Sequence, residues 1–169
     1  MNWGKRMRLA ALTVAMGVSA LAALPAQAVE FNVVRREIVV AKPAAEVWAK
    51  VGADYCAISV WFDMKCEITQ GDGRIGATRR LNGATDEVMV ANSPMSYTYL
   101  QTVGARAHYN YHGTLSVEPG PDARSSKIVY TLVYDQGAMD EKTRNDTRTG
   151  LETRFQGAVE SMKKLAEAN

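Results

Sequence analysis

The sequence predicts an α+β domain in which one long C-terminal helix covers one face of an antiparallel sheet of six to seven strands. Short segments rich in β-branched and aromatic residues, separated by turn residues, fill the middle of the chain. A long segment with the apolar periodicity of a helix ends it. Because a single helix can bury only one sheet face, these patterns favour two packed layers.

The first strand and two short helices precede the main part of the sheet. The segment Val33–Val40 mixes charged with β-branched residues, and it is followed by Pro43, which favours the first turn of a helix. The spacing of apolar residues then predicts a helix over Ala44–Val51. We expect a second, shorter helical segment over Ala57–Phe62.

Six further strands are predicted between residues 65 and 135. Glycine, asparagine and proline separate them, as is typical of tight turns. The predicted strands are Lys65–Gln70, Gly76–Leu81, Glu87–Ala91, Met95–Thr102, Tyr109–Val117 and Lys127–Asp135.

The C-terminal helix has the strongest pattern in the chain. Its apolar residues recur at intervals of three and four and form one stripe, while charged residues face away. We expect the helix to start between Asp140 and Thr149, and a helix over 143–167 would be about 37 Å long at 1.5 Å per residue. The stripe consists of Leu151, Phe155, Ala158, Val159, Met162, Leu165 and Ala166.

The first 28 residues have the pattern of an export signal. Three basic residues and no acidic one precede an apolar run from Leu9 to Leu24, and Ala26-Gln27-Ala28 is an A-x-A cleavage site. The alternative is a membrane anchor, but the run is short for a bilayer-spanning helix. We expect cleavage after Ala28, a mature domain over residues 29–169, and a periplasmic or secreted location without a stable membrane anchor.

Removing the leader changes the charge of the chain. The whole sequence carries 20 basic and 18 acidic residues, a formal net charge of +2. Three of the basic residues lie in the leader, so the mature chain has 17 basic and 18 acidic residues. A near-neutral surface has no electrostatic footprint for nucleic acid, and we expect no nucleic-acid partner.

Cys56 and Cys66 are the two cysteines of the sequence. In an exported protein such a pair favours a disulfide, which here would join the second short helix to the next strand and contribute about 2–3 kcal/mol. The alternative is a redox-active or metal-binding pair, but the sequence lacks the C-x-x-C spacing of such pairs.

Motifs for catalysis or metal binding are missing from the sequence. His108 and His112 are four residues apart, but in an extended strand four residues span about 13 Å, too far for one metal ion. The G-x-S-x-G segment of serine hydrolases is not present. We therefore assign no catalytic residue and expect no metal and no cofactor.

Six tyrosines fall on the late predicted strands. By the two-residue period of a strand, Tyr109, Tyr111 and Leu115 share one face, and Tyr130 and Tyr134 share another. Buried tyrosine hydroxyls need hydrogen-bond partners, which a cavity holding water or a ligand would supply. The alternative is that tyrosines simply suit half-exposed strands. The six are Tyr97, Tyr99, Tyr109, Tyr111, Tyr130 and Tyr134.

The order of a strand, two short helices, six strands and a long helix resembles the START/Bet v 1-like superfamily, which includes polyketide cyclase-like and lipid-transport-like proteins. The similarity covers residues 31–167. The resemblance implies a helix-grip fold, in which a curved sheet wraps around the C-terminal helix. Besides that helix, it rests on the segments Lys42–Trp48, Gly76–Arg79 and Tyr111–Leu115 and on Glu87.

A narrower resemblance concerns the region of the cysteines. Residues 54–61, Asp-Tyr-Cys-Ala-Ile-Ser-Val-Trp, followed by Lys65-Cys66-Glu67, are similar to an exported bacterial branch that includes the periplasmic methanol dehydrogenase accessory protein. Members of this branch often have Trp-His-Pro at the second helix, where this chain has Trp61-Phe62-Asp63. A role that depends on that histidine therefore does not transfer.

Glu87 stands where the superfamily often has an acid that points inward. A buried carboxylate needs a cation or hydroxyl groups nearby. Strand parity places Arg80 on the same face if the loop at Asn82-Gly83 has two residues, and Arg79 if it has three. Both loop lengths are compatible with the sequence, as is an exposed cross-strand pair.

Two functional hypotheses from different classes follow, with a third that only the name of the superfamily suggests. The first is an exported, non-catalytic binding or carrier protein for a small hydrophobic ligand, a lipid or an aromatic compound, held between the sheet and the C-terminal helix. The second is an accessory protein that acts on a periplasmic enzyme, and the third is a cyclase or dehydratase. The ligand-binding residues would be Trp61, Arg79, Glu87, Tyr99, Tyr111, Tyr130 and Phe155.

Overall fold

The structure, a computed structural model, describes residues 28–168. Except for Ala28, the expected leader therefore lies outside the described residues. Seven strands and three helices follow one another in the order that the sequence predicts. They are β1 (Phe31–Val40), α1 (Ala44–Val51), α2 (Ile58–Trp61), β2 (Cys66–Gln70), β3 (Thr78–Leu81), β4 (Thr85–Ser93), β5 (Ser96–Val103), β6 (His112–Pro119), β7 (Ser126–Asp135) and α3 (Glu141–Glu167).

All seven strands form one antiparallel sheet with the order β1-β7-β6-β5-β4-β3-β2. The first strand pairs with the last along its whole length, from Phe31 opposite Asp135 to Val40 opposite Ser126. In the pairing of β4 with β5, the register shifts twice, between Asp86 and Glu87 and after Met89. Such bulges bend a strand and increase its twist, so the sheet curves around α3 in the helix-grip arrangement.

Helix α3 begins at the early limit of the predicted range and has 27 residues, about 40 Å at 1.5 Å per residue. The carboxylate of Asp140 caps it, because Oδ1 accepts a hydrogen bond from the Thr143 backbone N–H at 2.7 Å. Its apolar stripe is buried against the sheet from Leu151 to Ala166, with only Leu165 half-exposed. Residues 141–150 contribute no buried side chain.

The predicted start of the sixth strand is wrong. Residues 107–109 form a turn of 3₁₀ helix, and Asn110 adopts the left-handed conformation with φ of 50°. This turn reverses the chain, so β6 begins only at His112 and Tyr109 does not share its inner face. Tyr111 immediately precedes the strand, and its side chain is buried with those of Leu115 and Val117.

The loop between β3 and β4 has three residues, which settles the pairing that the sequence left open. Arg79 lies opposite Glu87 and Arg80 lies opposite Asp86. Asn82 and Gly83 both have positive φ, of 50° and 70°, a conformation that favours asparagine and glycine. Arg79 and Glu87 therefore point into the core, whereas Arg80 and Asp86 pair on the outer face.

Cys56 and Cys66 form a disulfide, the pairing that the sequence predicts, with Cα atoms 5.5 Å apart. The bond joins the turn before α2 to the first residue of β2, which is the edge strand of the sheet. Beside it, Trp61 of α2 is buried, and its Nε1–H donates to the Val51 carbonyl at 3.1 Å. The disulfide thus holds the short helices against the β2 edge of the sheet.

A helix with the length and apolarity needed to cross a bilayer does not occur within residues 28–168.

Removal of the disulfide should lower the stability of the domain without unfolding it. We expect the double variant Cys56→Ala/Cys66→Ala to lose about 2–3 kcal/mol in the free energy of unfolding, because the unfolded chain regains the freedom of the closed loop. Urea titration followed by circular dichroism measures this. A double variant as stable as the unreduced wild type would show that the bond does not constrain the domain.

Candidate functional site

A buried arginine lies at the centre of the interior. Arg79 of β3 has 0% of its surface exposed, and tyrosine rings surround its guanidinium. The Cζ atom is 4.3 Å from the ring centroid of Tyr55, 4.9 Å from that of Tyr99 and 5.6 Å from that of Tyr97. Ring faces stabilise a cation that has lost its water, so the aromatic shell offsets part of the cost of burying the charge.

The Glu87 carboxylate on β4 neutralises this arginine. Arg79 Nε donates to Glu87 Oε2 at 2.8 Å, and Nη2 lies 2.7 Å from the same oxygen without hydrogen-bond geometry. Arg79 Nη1 donates to the Tyr55 carbonyl at 2.6 Å and to the Tyr97 hydroxyl at 3.4 Å. Glu87 itself is 4% exposed, so both charges of the pair are removed from water.

Burial determines the ionisation of this cluster. It raises the pKa of Glu87 above its ordinary value, and the nearby Arg79 charge offsets only part of the effect. Burial acts to lower the pKa of Arg79, but Tyr97 and Glu87 beside it keep that pKa well above its ordinary value. Burial also raises the pKa of Tyr99 and Tyr111, so both phenols are neutral at physiological pH.

Most of the buried tyrosine hydroxyls have partners inside the protein. The Tyr130 hydroxyl donates to the Tyr99 hydroxyl at 3.0 Å, and the Tyr55 hydroxyl donates to the Glu87 carbonyl at 3.2 Å. Tyr134 is different, since its buried hydroxyl has no hydrogen-bond partner. The Tyr99 ring also packs on Gly113 of β6, where any side chain would collide with it. The tyrosines are therefore held in place by one another and by Arg79.

A cavity of about 340 Å³ lies beside this cluster, between the sheet and α3. Its walls combine polar side chains with apolar ones, which come from α2 and the segment after it, from β3 and the loop that follows it, and from α3. Polar side chains close it at two ends. The lining residues are Ile58, Phe62, Met64, Leu81, Asn82, Ala84, Thr85, Glu87, Tyr99, Gln101, Arg106, Tyr111, Leu151, Arg154 and Phe155.

The lining divides into two ends according to burial, and each end carries polar side chains. The buried end, called the floor below, consists of Glu87, Tyr99, Gln101 and Tyr111. The end that reaches solvent, called the mouth, consists of Asn82, Ala84, Thr85, Arg106 and Arg154, all half-buried or exposed.

Four of the seven predicted ligand-binding residues line the cavity. Glu87, Tyr99, Tyr111 and Phe155 come together around it from β4, β5, the start of β6 and α3. The other three lie one layer behind, and their contact with a ligand stays a prediction. Arg79 binds the far side of Glu87, and Tyr130 contacts Tyr99 and Phe155. Trp61 lies edge-on to Tyr130, with ring centroids 6.0 Å apart.

Sequence reasoning missed the remaining polar groups of the cavity. Gln101 could have been found, because it follows Tyr97 and Tyr99 at intervals of two residues on the same face of β5. Arg154 precedes Phe155 in α3, and Arg106 lies in the connection between β5 and β6. Neither arginine has a local sequence signal, since only the fold brings them to one opening.

Within the part of the chain that the structure describes, no group of three histidine, cysteine, aspartate or glutamate side chains could hold a metal ion. His108 lies in the 3₁₀ turn and stacks on Tyr109, while His112 begins β6. The residues that line the cavity can take part in hydrogen bonding, apolar contact and proton exchange with Glu87.

Substituting one partner of the buried ion pair should lower the free energy of unfolding much more than substituting both partners. We expect Arg79→Met to lower the free energy of unfolding by about 3–5 kcal/mol, because it leaves the Glu87 carboxylate buried without a counter-charge. The double variant Arg79→Met/Glu87→Leu should recover most of this loss. Urea titration measures both.

The neighbouring residue provides the matched control. Arg80 pairs with Asp86 one position along the same strands, but on the outer face with its side chain 41% exposed. Arg80→Met should cost at most about 1 kcal/mol. Equal losses for Arg79→Met and Arg80→Met would contradict the special role of the buried pair.

The stability that Glu87 contributes should decrease as pH rises. Its folded pKa is raised, so its contribution is fully present below the unfolded pKa of about 4.3 and is lost as pH rises through the folded pKa. We expect the difference in unfolding free energy between wild type and Glu87→Gln to shift against the wild type by about 1.4 kcal/mol for each pKa unit. Urea titrations from pH 3 to 8 measure it, and a shift in favour of the wild type would place the folded pKa below the unfolded value.

Comparison with known structures identifies relatives of the fold. A protein from Nitrosospira multiformis aligns with a TM-score of 0.64 and 20% identity, over 79% of this chain and 94% of its own. Truncated norcoclaurine synthase from Thalictrum flavum aligns with a TM-score of 0.65 and 17% identity, over 86% and 99%. Ara h 8.0201 aligns with a TM-score of 0.63 and 15% identity, over 83% and 100%. At these identities the likeness shows a common fold.

The search among curated proteins returned no match. The sequence model of the family described as polyketide cyclase / dehydrase and lipid transport matches residues 32–167, nearly the whole of the described domain. The resemblance to the START/Bet v 1-like superfamily is thereby confirmed, while the narrower exported branch stays a prediction. The chain belongs to the polyketide cyclase / dehydrase and lipid transport family.

Proposed function

We propose that this protein is an exported, non-catalytic binding or carrier protein for a small hydrophobic ligand. The single observation that carries the proposal is the cavity of about 340 Å³ between the sheet and α3. Proteins that hold small molecules do so in cavities of about 300–1,000 Å³ with apolar walls and a few polar groups that orient the ligand. The expected export signal and the disulfide support a location outside the cytoplasm.

The walls favour an aromatic or short lipid body. Phe62 and Phe155 lie edge to face with centroids 5.4 Å apart, and Ile58, Met64 and Leu151 line the same cavity. A ligand that buries apolar surface against these side chains gains about 25 cal/mol of binding free energy per Å². At the low end of the usual volume range, the cavity suits a compact ligand rather than a two-chain lipid.

The polar groups of the floor favour holding a ligand over transforming it. Arg79 keeps Oε2 of Glu87 engaged, and the Tyr99 hydroxyl accepts a hydrogen bond from Tyr130. These groups are fixed by the core, so they can orient a hydroxyl group at the inner end of a ligand. Glu87 Oε1 and the Tyr111 hydroxyl are the natural partners for it.

A second candidate function is that of a cyclase- or dehydratase-like enzyme. One observation favours it, since a carboxyl group with a raised pKa at the floor of a cavity is suited to general acid–base catalysis. Norcoclaurine synthase shares the fold. In this case Glu87 would exchange a proton with the substrate, and turnover would depend on it.

Native mass spectrometry tests the principal proposal first. Protein purified from its own host should carry a small apolar compound that is released on denaturation. Glu87→Gln distinguishes the two candidates, because it should weaken rebinding of that compound under the carrier proposal. Under the enzymatic alternative, the wild type would convert the compound and Glu87→Gln would not. Recovery of an intact protein partner without a ligand would favour an accessory role instead.

Ligand-free protein allows a test with a defined probe. N-phenyl-1-naphthylamine is a neutral aromatic compound that fluoresces on entering an apolar site. We expect Ala84→Trp at the mouth to weaken its binding about tenfold by obstructing the cavity, a loss of about 1.4 kcal/mol. The matched control is Ala123→Trp, at an exposed position of the β6–β7 connection, which should leave binding unchanged. Equal binding by both variants would mean that the cavity does not hold the probe.

A further inference from the structure

Two arginines without ion-pair partners line the same cavity. Within residues 28–168, only Arg106, Arg124 and Arg154 among the arginines form no ion pair with a carboxylate. Arg106 and Arg154 are both at the mouth of the cavity, whereas Arg124 is exposed in the connection between β6 and β7. The two unpaired guanidinium groups thus coincide with the opening through which a ligand would pass.

Aromatic rings hold the two arginines in place. The Cζ atom of Arg154 lies 4.6 Å from the centroid of Phe62, and the Cζ atom of Arg106 lies 5.9 Å from that of Tyr111. The Arg106 backbone N–H also donates to Gln101 Oε1 at 2.8 Å, which ties its segment to the floor. Stacking on a ring limits the rotamers of an arginine and leaves its N–H donors free for an anion.

The electrostatic asymmetry of the cavity orients a ligand. Glu87, the one carboxylate among the lining residues, lies at the floor with its charge balanced by Arg79, whereas the two arginines at the mouth have no carboxylate partner. The positive charge of Arg106 at the mouth also acts on Tyr111 at the floor. It acts to lower the pKa of Tyr111, against the larger effect of burial, which raises that pKa. A negatively charged group of the ligand is therefore favoured at the mouth, with the apolar body of the ligand inside the cavity.

We propose that the ligand is an amphipathic anion, an aromatic or short aliphatic acid whose acidic group binds between Arg106 and Arg154. Its apolar body fills the space between Phe62, Leu151 and Phe155, and a hydroxyl at its inner end reaches Glu87. Arginine suits this role because its planar N–H donors match carboxylate and sulfonate oxygens. This inference rests on the proposed function and specifies the chemical class of the ligand.

A pair of probes that differ only in charge tests it. 8-Anilino-1-naphthalenesulfonate has the same aromatic body as N-phenyl-1-naphthylamine and an added sulfonate. We expect the wild type to bind the sulfonate more tightly. Arg106→Gln/Arg154→Gln should weaken sulfonate binding about tenfold and change neutral-probe binding less than about twofold. Increasing salt should weaken binding of the sulfonate only.

Two further variants serve as controls. Arg124→Gln removes the third unpaired arginine, at a distance from the cavity, and should leave the affinity for both probes unchanged. Arg106→Lys/Arg154→Lys keeps the charge and should retain most of the sulfonate affinity. Unchanged binding of the neutral probe also shows that each variant is folded.

The outcomes separate this inference from the function on which it rests. If both probes bind and the arginine substitutions change the two affinities equally, the cavity binds hydrophobic compounds but the inference is wrong. If neither probe binds to any form of the protein, the proposed function fails and the inference fails with it. A selective loss of the sulfonate in the double glutamine variant supports both.

Discussion

The buried ion pair between Arg79 and Glu87 is the constraint on which the interior depends. Two charges removed from water must be matched by partners at close range, or the domain loses several kcal/mol. The partners here are the rings of Tyr55 and Tyr99 and the hydroxyl of Tyr97. An interior of aliphatic side chains alone could not accommodate the pair, which explains why tyrosines occupy positions where leucine or valine would pack as well.

This polar centre also determines the character of the cavity. Arg79 holds Glu87 from one side, so the carboxylate is fixed at the floor, where it lines the cavity. Helix α3 supplies the opposite, apolar wall through Leu151 and Phe155. A ligand in this cavity would therefore meet a floor with an ion-paired carboxylate, aromatic side chains on the walls and basic side chains at the mouth.

Strand and helix order could be predicted from sequence because these depend on local periodicity and turn residues. The partner of Glu87 could not, since it depended on whether the loop after Leu81 has two residues or three, and a change of one residue moves every side chain to the other face. The start of β6 was predicted too early, because the 3₁₀ turn and the left-handed Asn110 precede the strand. The arginines of the mouth could not be predicted from the sequence, because Arg106 and Arg154 are brought together only by the packing of α3 on the sheet.

The central claim is that a ligand occupies the space between the Arg79–Glu87 centre and α3. Nuclear Overhauser effects between bound N-phenyl-1-naphthylamine and the ¹³C-labelled aromatic and methyl groups of the protein test it directly. The structure predicts contacts to Tyr99, Tyr111 and Phe155 and none to Trp48, which lies outside the cavity lining. Contacts confined to the exposed apolar side chains at the start of β1, such as Phe31, would contradict it.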